Sequence, residues 1–564
     1  MIKIKVNKAR FEYDIYSLVQ AFFPHHDIFI DYDVDEKEEQ FLPYQVKNRK
    51  KVLNEDETID FLIKVYYYDD KKLIDISLEE KEAKLVKEKE KDVSSEGKNI
   101  SEKNWKEIYR EKIHVKDIKD TKAVKNDLKK SIYLNLSKVT NKTLPWGTLT
   151  GIRPTKIILN KLLSDSERDV YSYMKETYLA SDEKTKLGIF VSKREIELLN
   201  NLHTLVRLYK LEAIEKKAKY EEALKGNKLK EKIEDKKENY DKRLGYSIYI
   251  GIPFCPTTCL YCSFPSYNMA VFKGQVRAYL DALKKEIVEV AKLFKGRILD
   301  TLYIGGGTPT SLNANELSEL FSLIYENFDM DHIKEFNVEA GRPDSIDREK
   351  LLVMKKYNVT RISINPQTMN EKTLRIIGRD HSIASVYESF NLARSLEFNN
   401  INMDLILGLP GENKDDILYT FDEIRKLHPD SLTIHSLAIK THSRLYKEWS
   451  KYENYAMENS NFLMAESAGL AESLGMSPYY LYRQKNMAGN LENVGYSALG
   501  KEGKYNILIM EEQEDIVALG AGTASKHVLL DGSTKRCENV RDIKSYIERI
   551  DEMIERKKEL FFSE

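Results

Sequence analysis

The sequence predicts an α/β protein with a partial (β/α)6 barrel, an N-terminal α/β domain and a mostly helical C-terminal region. Three observations indicate this fold. Short apolar runs alternate with helical patterns six times after residue 244, which is typical of a parallel sheet with right-handed crossovers. Six repeats suit an open barrel better than a closed eight-stranded one. Polar and glycine-rich residues follow the apolar runs, where the loops of such a sheet converge.

A chain of 564 residues is too long for a single hydrophobic core. We divide it into four segments. An N-terminal α/β domain spans residues 1–145, with a charged insertion at about 79–103. A helical segment and charged linker follow at 146–243, and the barrel spans 244–445. The helical region at 446–564 is expected to cover the substrate.

The N-terminal domain begins with a strand pattern. Ile2, Ile4 and Val6 alternate with lysines, which indicates a half-buried strand. Two further apolar runs, Phe61–Tyr68 and Leu73–Leu78, flank four turn-forming residues and predict a hairpin.

Residues 156–212 carry a helical pattern, and the run at 215–243 consists mostly of charged residues. Because acidic residues balance the basic ones in this run, a solvated helix or linker is favoured over an RNA-binding arm.

The barrel segment predicts alternating strands and helices. An apolar face from Leu280 to Phe294 marks a helix after the first strand, and a second helix is predicted at about 315–327. The six strands are predicted at Tyr246–Ile252, Leu302–Ile304, Phe336–Ala340, Arg361–Ile364, Met403–Leu407 and Leu432–Leu437.

Composition and charge indicate which partners and which cellular compartment to expect. The net charge is −1, with 90 basic and 91 acidic residues, so no global charge favours nucleic acid or an acidic membrane surface as a partner. Four cysteines, three of them clustered, do not form a disulfide framework and favour a reducing compartment. The N-terminus lacks the apolar core of a signal peptide, and no apolar run reaches the length of about 18 residues of a membrane span. We therefore expect a cytoplasmic protein.

Cys255, Cys259 and Cys262 lie in the run GIPFCPTTCLYCSFPSY, spaced by three residues and then two. Thiolates select iron–sulfur clusters, zinc or cuprous copper. A structural zinc site would need a fourth ligand, but Cys537 and the nearest histidines are remote in sequence. Buried, unligated thiols are the other alternative. The spacing favours a metal centre with one open coordination position.

Other polar residues follow the predicted strands. The second strand ends in Gly305–Pro309, which lacks the Gly-Lys-Ser/Thr ending of a phosphate loop and excludes that kind of nucleotide site. Glu339, Gln367 and Asp404 lie near the ends of the third, fourth and fifth strands. Their shared location predicts that they line one pocket.

The cysteine spacing after an apolar strand resembles the radical S-adenosylmethionine (SAM) enzymes, in which three cysteines hold a 4Fe–4S cluster and SAM binds the fourth iron. From about Tyr246 to Ala438 the chain resembles the oxygen-independent coproporphyrinogen III oxidase (dehydrogenase) family. The matching runs are YIGIPFCPTTCLYC, LYIGGGTPT, FNVEAGRPD, RISINPQTMNEKTLRIIGR and INMDLILGLPGE. The runs YLYRQKNMAGNLENVGY, GAGTASK and PWGTLTGIRPTKI resemble its HemZ branch. The first 145 residues resemble the family poorly.

The resemblance implies a set of cofactor contacts. It assigns the cluster to Cys255, Cys259 and Cys262. Arg379 is also suited on chemical grounds to bind a carboxylate of SAM or of the substrate, because a guanidinium is a fixed bidentate partner for a carboxylate. The implied SAM contacts are Tyr249, Tyr261, Gly306, Gly307, Thr308, Glu339, Gln367, Arg379, Asp404 and Ala438.

The resemblance also implies the reaction. The reduced cluster passes an electron to the SAM sulfonium, and the resulting 5′-deoxyadenosyl radical removes a hydrogen atom from a propionate side chain. Loss of carbon dioxide and of one further electron leaves a vinyl group, and two such reactions give protoporphyrinogen IX in haem biosynthesis. The implied partners are a tetrapyrrole substrate and an electron donor such as a flavodoxin or ferredoxin.

Coproporphyrinogen carries four carboxylates, so we expect basic groups around the pocket. Arg483 and Lys485 are the candidate catalytic residues of this kind, and Lys440 and Arg444 follow the last strand. For the latter two, an ordinary place on the surface is an equal alternative.

Two departures from the family pattern keep other functions open. Ser263 and Phe264 follow the third cysteine, where the best-known bacterial oxidase has a further cysteine. The His-Asn-x-x-Tyr-Trp run of the haem-chaperone branch is absent. The alternatives are a haem-binding chaperone, a radical SAM enzyme acting on another tetrapyrrole, and a zinc-stabilised interaction module.

Overall fold

The computed structural model describes residues 1–33, 61–81, 105–199, 245–529 and 533–562, except residues 9, 25, 118, 152, 485, 486, 488 and 489. The chain forms two compact units. The first comprises Met1–Gly151 and Asp165–Leu187, and the second comprises Ile152–Ser164 and Gly188–Glu564. Most of the predicted charged insertion and the whole charged run at 215–243 lie outside the described residues.

Eighteen strands and seventeen α-helices are found among the described residues. The strands are β1 Ile2–Val6, β2 Ile28–Tyr32, β3 Phe61–Tyr68, β4 Leu73–Lys81, β5 Trp105–His114, β6 Gly245–Ile252, β7 Phe254–Cys255, β8 Tyr267–Asn268, β9 Ile298–Gly306, β10 Glu335–Gly341, β11 Arg361–Ile364, β12 Ile401–Leu407, β13 Ser431–Ser436, β14 Ser477–Tyr482, β15 Asn493–Ser497, β16 Asp515–Leu519, β17 Ala524–Val528 and β18 Thr534–Glu538. The helices are α1 Glu12–Phe22, α2 Thr121–Thr140, α3 Pro154–Leu162, α4 Glu167–Tyr178, α5 182–199, α6 Met269–Phe272, α7 Val276–Leu293, α8 Ala314–Asn327, α9 Arg348–Lys356, α10 Glu371–Ile376, α11 Ile383–Ser395, α12 Lys414–Leu427, α13 Arg444–Lys447, α14 Asn461–Ser473, α15 Lys504–Glu511, α16 Ile543–Glu548 and α17 Ile550–Phe562. None of the described helices combines the length and the apolar character that crossing a membrane requires.

The first unit contains a five-stranded sheet in the order β2-β1-β3-β4-β5. β1 is parallel to β2 and β3, while β3, β4 and β5 pair as antiparallel hairpins. The predicted β1 strand and the β3–β4 hairpin are confirmed. Ile2, Ile4 and Val6 are fully buried in one core with apolar residues of α1 and α2.

The second unit contains an eleven-stranded sheet in the order β14-β15-β13-β12-β11-β10-β9-β6-β16-β17-β18. Six neighbouring strands of this sheet are the six that the sequence predicts: β6, β9, β10, β11, β12 and β13. Each is parallel to its neighbour. The partial (β/α)6 barrel is therefore confirmed, together with helices α7 and α8. Side-chain capping boxes fix the beginnings of α8 and α12, so these helices begin at defined points after the loops of the sheet.

The C-terminal region, which the sequence predicts as mostly helical, contains helices α14 to α17, and the structure adds strands β14 to β18. β16 pairs in parallel with β6, and β15 pairs antiparallel with β13, so both edges of the barrel sheet are extended. Gly495 interrupts the apolar pattern of β15, yet the strand requires it because a Cβ there would lie 1.8 Å from the ring of Tyr480.

A buried ion pair ties α17 to α7. Lys557 Nζ lies 2.7 Å from Glu286 Oε1, and both side chains are almost completely buried. The other donors to this carboxylate are the Tyr546 hydroxyl at 2.6 Å, Asn539 Nδ2 at 2.8 Å and the Gly520 N–H at 2.7 Å. The C-terminal helix is thus joined to the turn that follows β16.

Candidate functional site

A cavity of about 370 Å³ opens at the carboxyl ends of the parallel strands. This is where ligands bind in parallel βα folds. The cavity brings together most of the residues that the sequence singles out. Those that line it are Cys255, Cys259, Tyr261, Cys262, Gly306, Gly307, Thr308, Glu339, Gln367, Arg379, Asp404 and Ala438.

The cysteine loop is fixed by its backbone. Cys255 is buried in β7, whereas Cys259 and Cys262 are half-buried. Leu260, between them, is fully buried and donates its N–H to the Ile377 carbonyl at 2.9 Å. This hydrogen bond and the burial of Leu260 anchor the loop whose three thiols line the cavity.

The environment of Cys255 and Cys262 disfavours the charged form of these two thiols. Burial raises the pKa of Cys255, and burial together with the neighbouring Cys259 thiol raises the pKa of Cys262 to about 12. A coordinating metal reverses this, because a thiol that binds a metal loses its proton. Cys262 is therefore protonated at neutral pH unless it binds a metal.

The glycine-rich loop is bonded to the strand that carries the first cysteine. The N–H of Gly307 donates to the Ile252 carbonyl and that of Thr308 to the Phe254 carbonyl, both at 2.8 Å. The Thr308 hydroxyl lies 3.5 Å from Cys255 Sγ. A Cβ at Gly307 would lie 2.7 Å from the Phe254 oxygen, so only glycine allows this approach.

Two carboxylates face the cavity in different states. Burial raises the pKa of Glu339 to about 7, although the Tyr303 hydroxyl donates to it. Gly305 leaves room for this pair, because a Cβ there would lie 2.8 Å from Glu339 Oε2. Burial also disfavours ionisation of Asp404. The nearby His435 ring, whose Nε2 lies 3.8 Å from Asp404 Oδ2, and the Asn402 amide, which donates to Asp404 Oδ1 at 2.8 Å, nevertheless hold that pKa below the usual range. The pocket thus offers one carboxylate that gives up its proton near neutrality and one that stays ionised.

Several buried polar atoms of the pocket make no hydrogen bond within the described part of the chain. Gln367 Oε1, Asn337 Oδ1 and Arg379 Nε are buried and have no hydrogen-bond partner among the described residues. Arg379 uses its other nitrogens to donate to the Tyr261 hydroxyl at 3.2 Å and the Asn365 carbonyl at 3.0 Å. Gln367 has a φ of 69°, and non-glycine residues in this region cluster at ligand sites. A polar ligand would satisfy these atoms.

The pocket residues fit an iron–sulfur cluster with SAM. Three thiols line it beside a glycine cradle and unsatisfied polar atoms. Among the residues that the structure describes, no three His, Cys, Asp or Glu side chains are grouped as ligands of a single metal ion. The fit therefore depends on the shared cavity and the chemistry of its donors.

Three predicted residues lie elsewhere. Tyr249 does not line the cavity; its ring packs beside Tyr303 and Tyr505, with centroids 5.7 and 6.2 Å away. Arg483 is buried outside the lining and donates to the Asn490 carbonyl at 3.1 Å. Lys485 lies outside the described residues. The roles assigned to these three remain predictions.

The sequence predicted at most one polar lining residue on most strands. Polar side chains in fact line the cavity at every second position of β10, β11, β12 and β13. The apolar residues between these positions, such as Val338 and Leu405, are buried on the other face. This period of two was readable in the sequence. The lining residues that show it are Asn337 and Glu339 on β10, Arg361 and Ser363 on β11, Asn402 and Asp404 on β12, and Thr433 and His435 on β13.

Comparison with known proteins gives consistent results. The radical SAM superfamily matches residues 249–424. The oxygen-independent coproporphyrinogen-III oxidase-like protein HemZ of Bacillus subtilis (strain 168) is 40% identical over 442 residues, which cover 77% of this chain and 81% of HemZ. The heme chaperone HemW of the same organism is 31% identical over 54% of this chain and 76% of HemW. The oxygen-independent coproporphyrinogen III oxidase of Escherichia coli (strain K12) is 35% identical over 34% of this chain and 42% of that oxidase.

Proposed function

Because this chain belongs to the radical SAM superfamily, in the HemZ group of oxygen-independent coproporphyrinogen III oxidase-like proteins, we propose that it oxidatively decarboxylates coproporphyrinogen III to protoporphyrinogen IX. The family uses a 4Fe–4S cluster and SAM. When bound, these cofactors supply a carbon radical that takes a hydrogen atom from the substrate. The protein's part is to hold the cofactors and the substrate and to exclude water.

Cofactor binding is assigned to residues that already share the cavity. Cys255, Cys259 and Cys262 would hold the cluster on a loop fixed by the buried Leu260. Gly306 and Gly307 would allow SAM to approach the backbone. The polar residues that would contact SAM are Glu339, Gln367, Arg379 and Asp404. The hydrogen bond from the Leu260 N–H to the Ile377 carbonyl anchors the cysteine loop and favours a fixed geometry for the reaction.

One observation favours a substrate that bears carboxylate groups. Lys440 follows β13, lines the same cavity as the thiols and is half-buried. Burial lowers its pKa, the Cys262 thiol acts in the opposite direction, and no carboxylate pairs with it within the part of the chain that the structure describes. By contrast, Arg342 is paired with Asp344, and Arg361 donates to Asn400 and to the Lys501 carbonyl. A propionate is the partner that a cation in this position favours.

Turnover under strictly anaerobic conditions tests the proposal. Coproporphyrinogen III, SAM and a reductant should give carbon dioxide and a vinyl-bearing product. Cys259→Ala should lose both iron and turnover, whereas Cys537→Ala, on β18 and outside the cavity lining, should retain them. Turnover that survives in Cys259→Ala would contradict the assignment.

Lys440→Met tests the substrate contact separately. A hydrogen bond to a charged group contributes about 1.5–3 kcal/mol, so kcat/KM should fall about 10–150-fold while iron content is unchanged. An unaltered kcat/KM would remove Lys440 from the substrate site.

The relationship to HemW favours a second candidate function, that of a haem-binding chaperone. This candidate predicts stoichiometric haem binding without release of carbon dioxide from coproporphyrinogen III. A third outcome, SAM cleavage with haem or another tetrapyrrole as the substrate, would indicate a different reaction of the same cofactors.

A further inference from the structure

The surface beside the cysteine loop exposes apolar side chains next to the thiols. Phe264, two residues after Cys262, lines the cavity and is nevertheless 64% exposed. Val271, on the segment that follows, is 74% exposed. Cys259 and Cys262 are only half-buried. The Phe264 side chain therefore extends from the site of the cluster to solvent.

The same surface carries an excess of positive charge. Three segments meet here, 255–275, 438–447 and 539–544: Arg541 Nη2 donates to the Ser263 carbonyl at 2.8 Å, and the Leu445 N–H donates to the Leu260 carbonyl at 2.9 Å. Their only acidic residue is Asp542. Their basic residues outside the cavity lining are Lys273, Arg444, Lys447, Arg541 and Lys544.

This excess is local. The whole chain has 90 basic and 91 acidic residues. Asp542 accepts the Ser545 N–H at the beginning of α16. Beyond the three segments, Glu448 is bonded to Lys451 at 2.9 Å, and Glu548 lies 3.9 Å from Lys544, which leaves the other basic residues as the excess. Surface charge of one sign around an apolar centre steers and orients a partner of the opposite sign.

We propose that this surface docks an acidic protein carrier of single electrons, which reduces the cluster past Phe264. The carrier loses one electron and the cluster gains it, so no proton or group is transferred. Basic residues orient the carrier, and Phe264 and Val271 exclude water from the contact. The inference depends on the cluster that the family uses and not on the identity of the tetrapyrrole, because cluster reduction can be measured without substrate.

The test compares two reductants on the cluster-loaded full chain. Stopped-flow absorbance follows cluster reduction by a reduced, acidic flavodoxin and by photoreduced deazaflavin, which is uncharged. The variant Lys273→Glu/Lys447→Glu reverses two exposed charges of the surface. The matched control is Lys295→Glu, which is exposed and precedes the amino end of β9.

At low ionic strength the rate with flavodoxin should fall at least about 10-fold in the double variant, because steering contributes factors of about 10–1,000. The wild-type rate should fall as salt is added, and the affinity of oxidised flavodoxin measured by calorimetry should fall in parallel. The rate with deazaflavin, the iron content and the Lys295→Glu control should match the wild type. An unchanged flavodoxin rate, or an equal loss with deazaflavin, would overturn the proposal.

Discussion

Lys557→Met should destabilise the second unit more than any change to a surface ion pair. The substitution leaves Glu286 completely buried with an uncompensated charge, and it removes the 2.7 Å donor to Asn539 Oδ1. Breaking a buried pair by removing one partner costs about 3–5 kcal/mol. Because Tyr546, Asn539 and Gly520 still donate to the carboxylate, we expect the lower end of this range, about 3 kcal/mol.

Urea denaturation of the full chain, followed through the transition of the second unit, measures this loss. Lys558→Met is the control, since Lys558 is exposed and pairs with Glu555 on the same helix; its effect should stay within about 0.5 kcal/mol. Glu286→Gln/Lys557→Met removes both charges and should recover at least half of the loss. If Lys557→Met behaves like Lys558→Met, the buried pair does not stabilise this unit.

Two further predictions concern the pocket. Gly307→Ala places a Cβ 2.7 Å from the Phe254 carbonyl oxygen, so iron incorporation and Tm should fall, whereas Gly274→Ala meets nothing within 4 Å and should change neither; equal results for the two would contradict the close approach. Glu339→Gln should remove a pH dependence, because the folded protein keeps a proton on Glu339 up to pH about 7, above the usual carboxyl value of about 4.3. Relative to this variant, the wild type should therefore lose stability as the pH rises between these values. A Tm difference that stays constant across that interval would show that burial does not govern Glu339.

The sequence predicted the elements whose patterns are local. The six parallel strands and the β3–β4 hairpin follow from runs of apolar or alternating residues that each element carries within itself. The cysteine spacing, together with the glycines after β9, indicated the position of the pocket, and the structure places these residues around one cavity.

What the sequence did not predict depends on contacts between distant segments. Nothing in the short run at Asp515–Leu519 shows that it pairs with β6. Tyr249 precedes the first cysteine by six residues, yet its ring packs beside Tyr303 and Tyr505 rather than on the cavity. Only the three-dimensional arrangement of the strands decides such cases.

The pairing of β6 with β16 also orders events during synthesis. β9, the neighbour of β6 on one side, follows directly after helix α7, but β16, the neighbour on the other side, is synthesised almost 270 residues later. Contacts so distant in sequence form slowly and late. The strand that leads to the three thiols therefore keeps one edge unpaired until β16 has been synthesised.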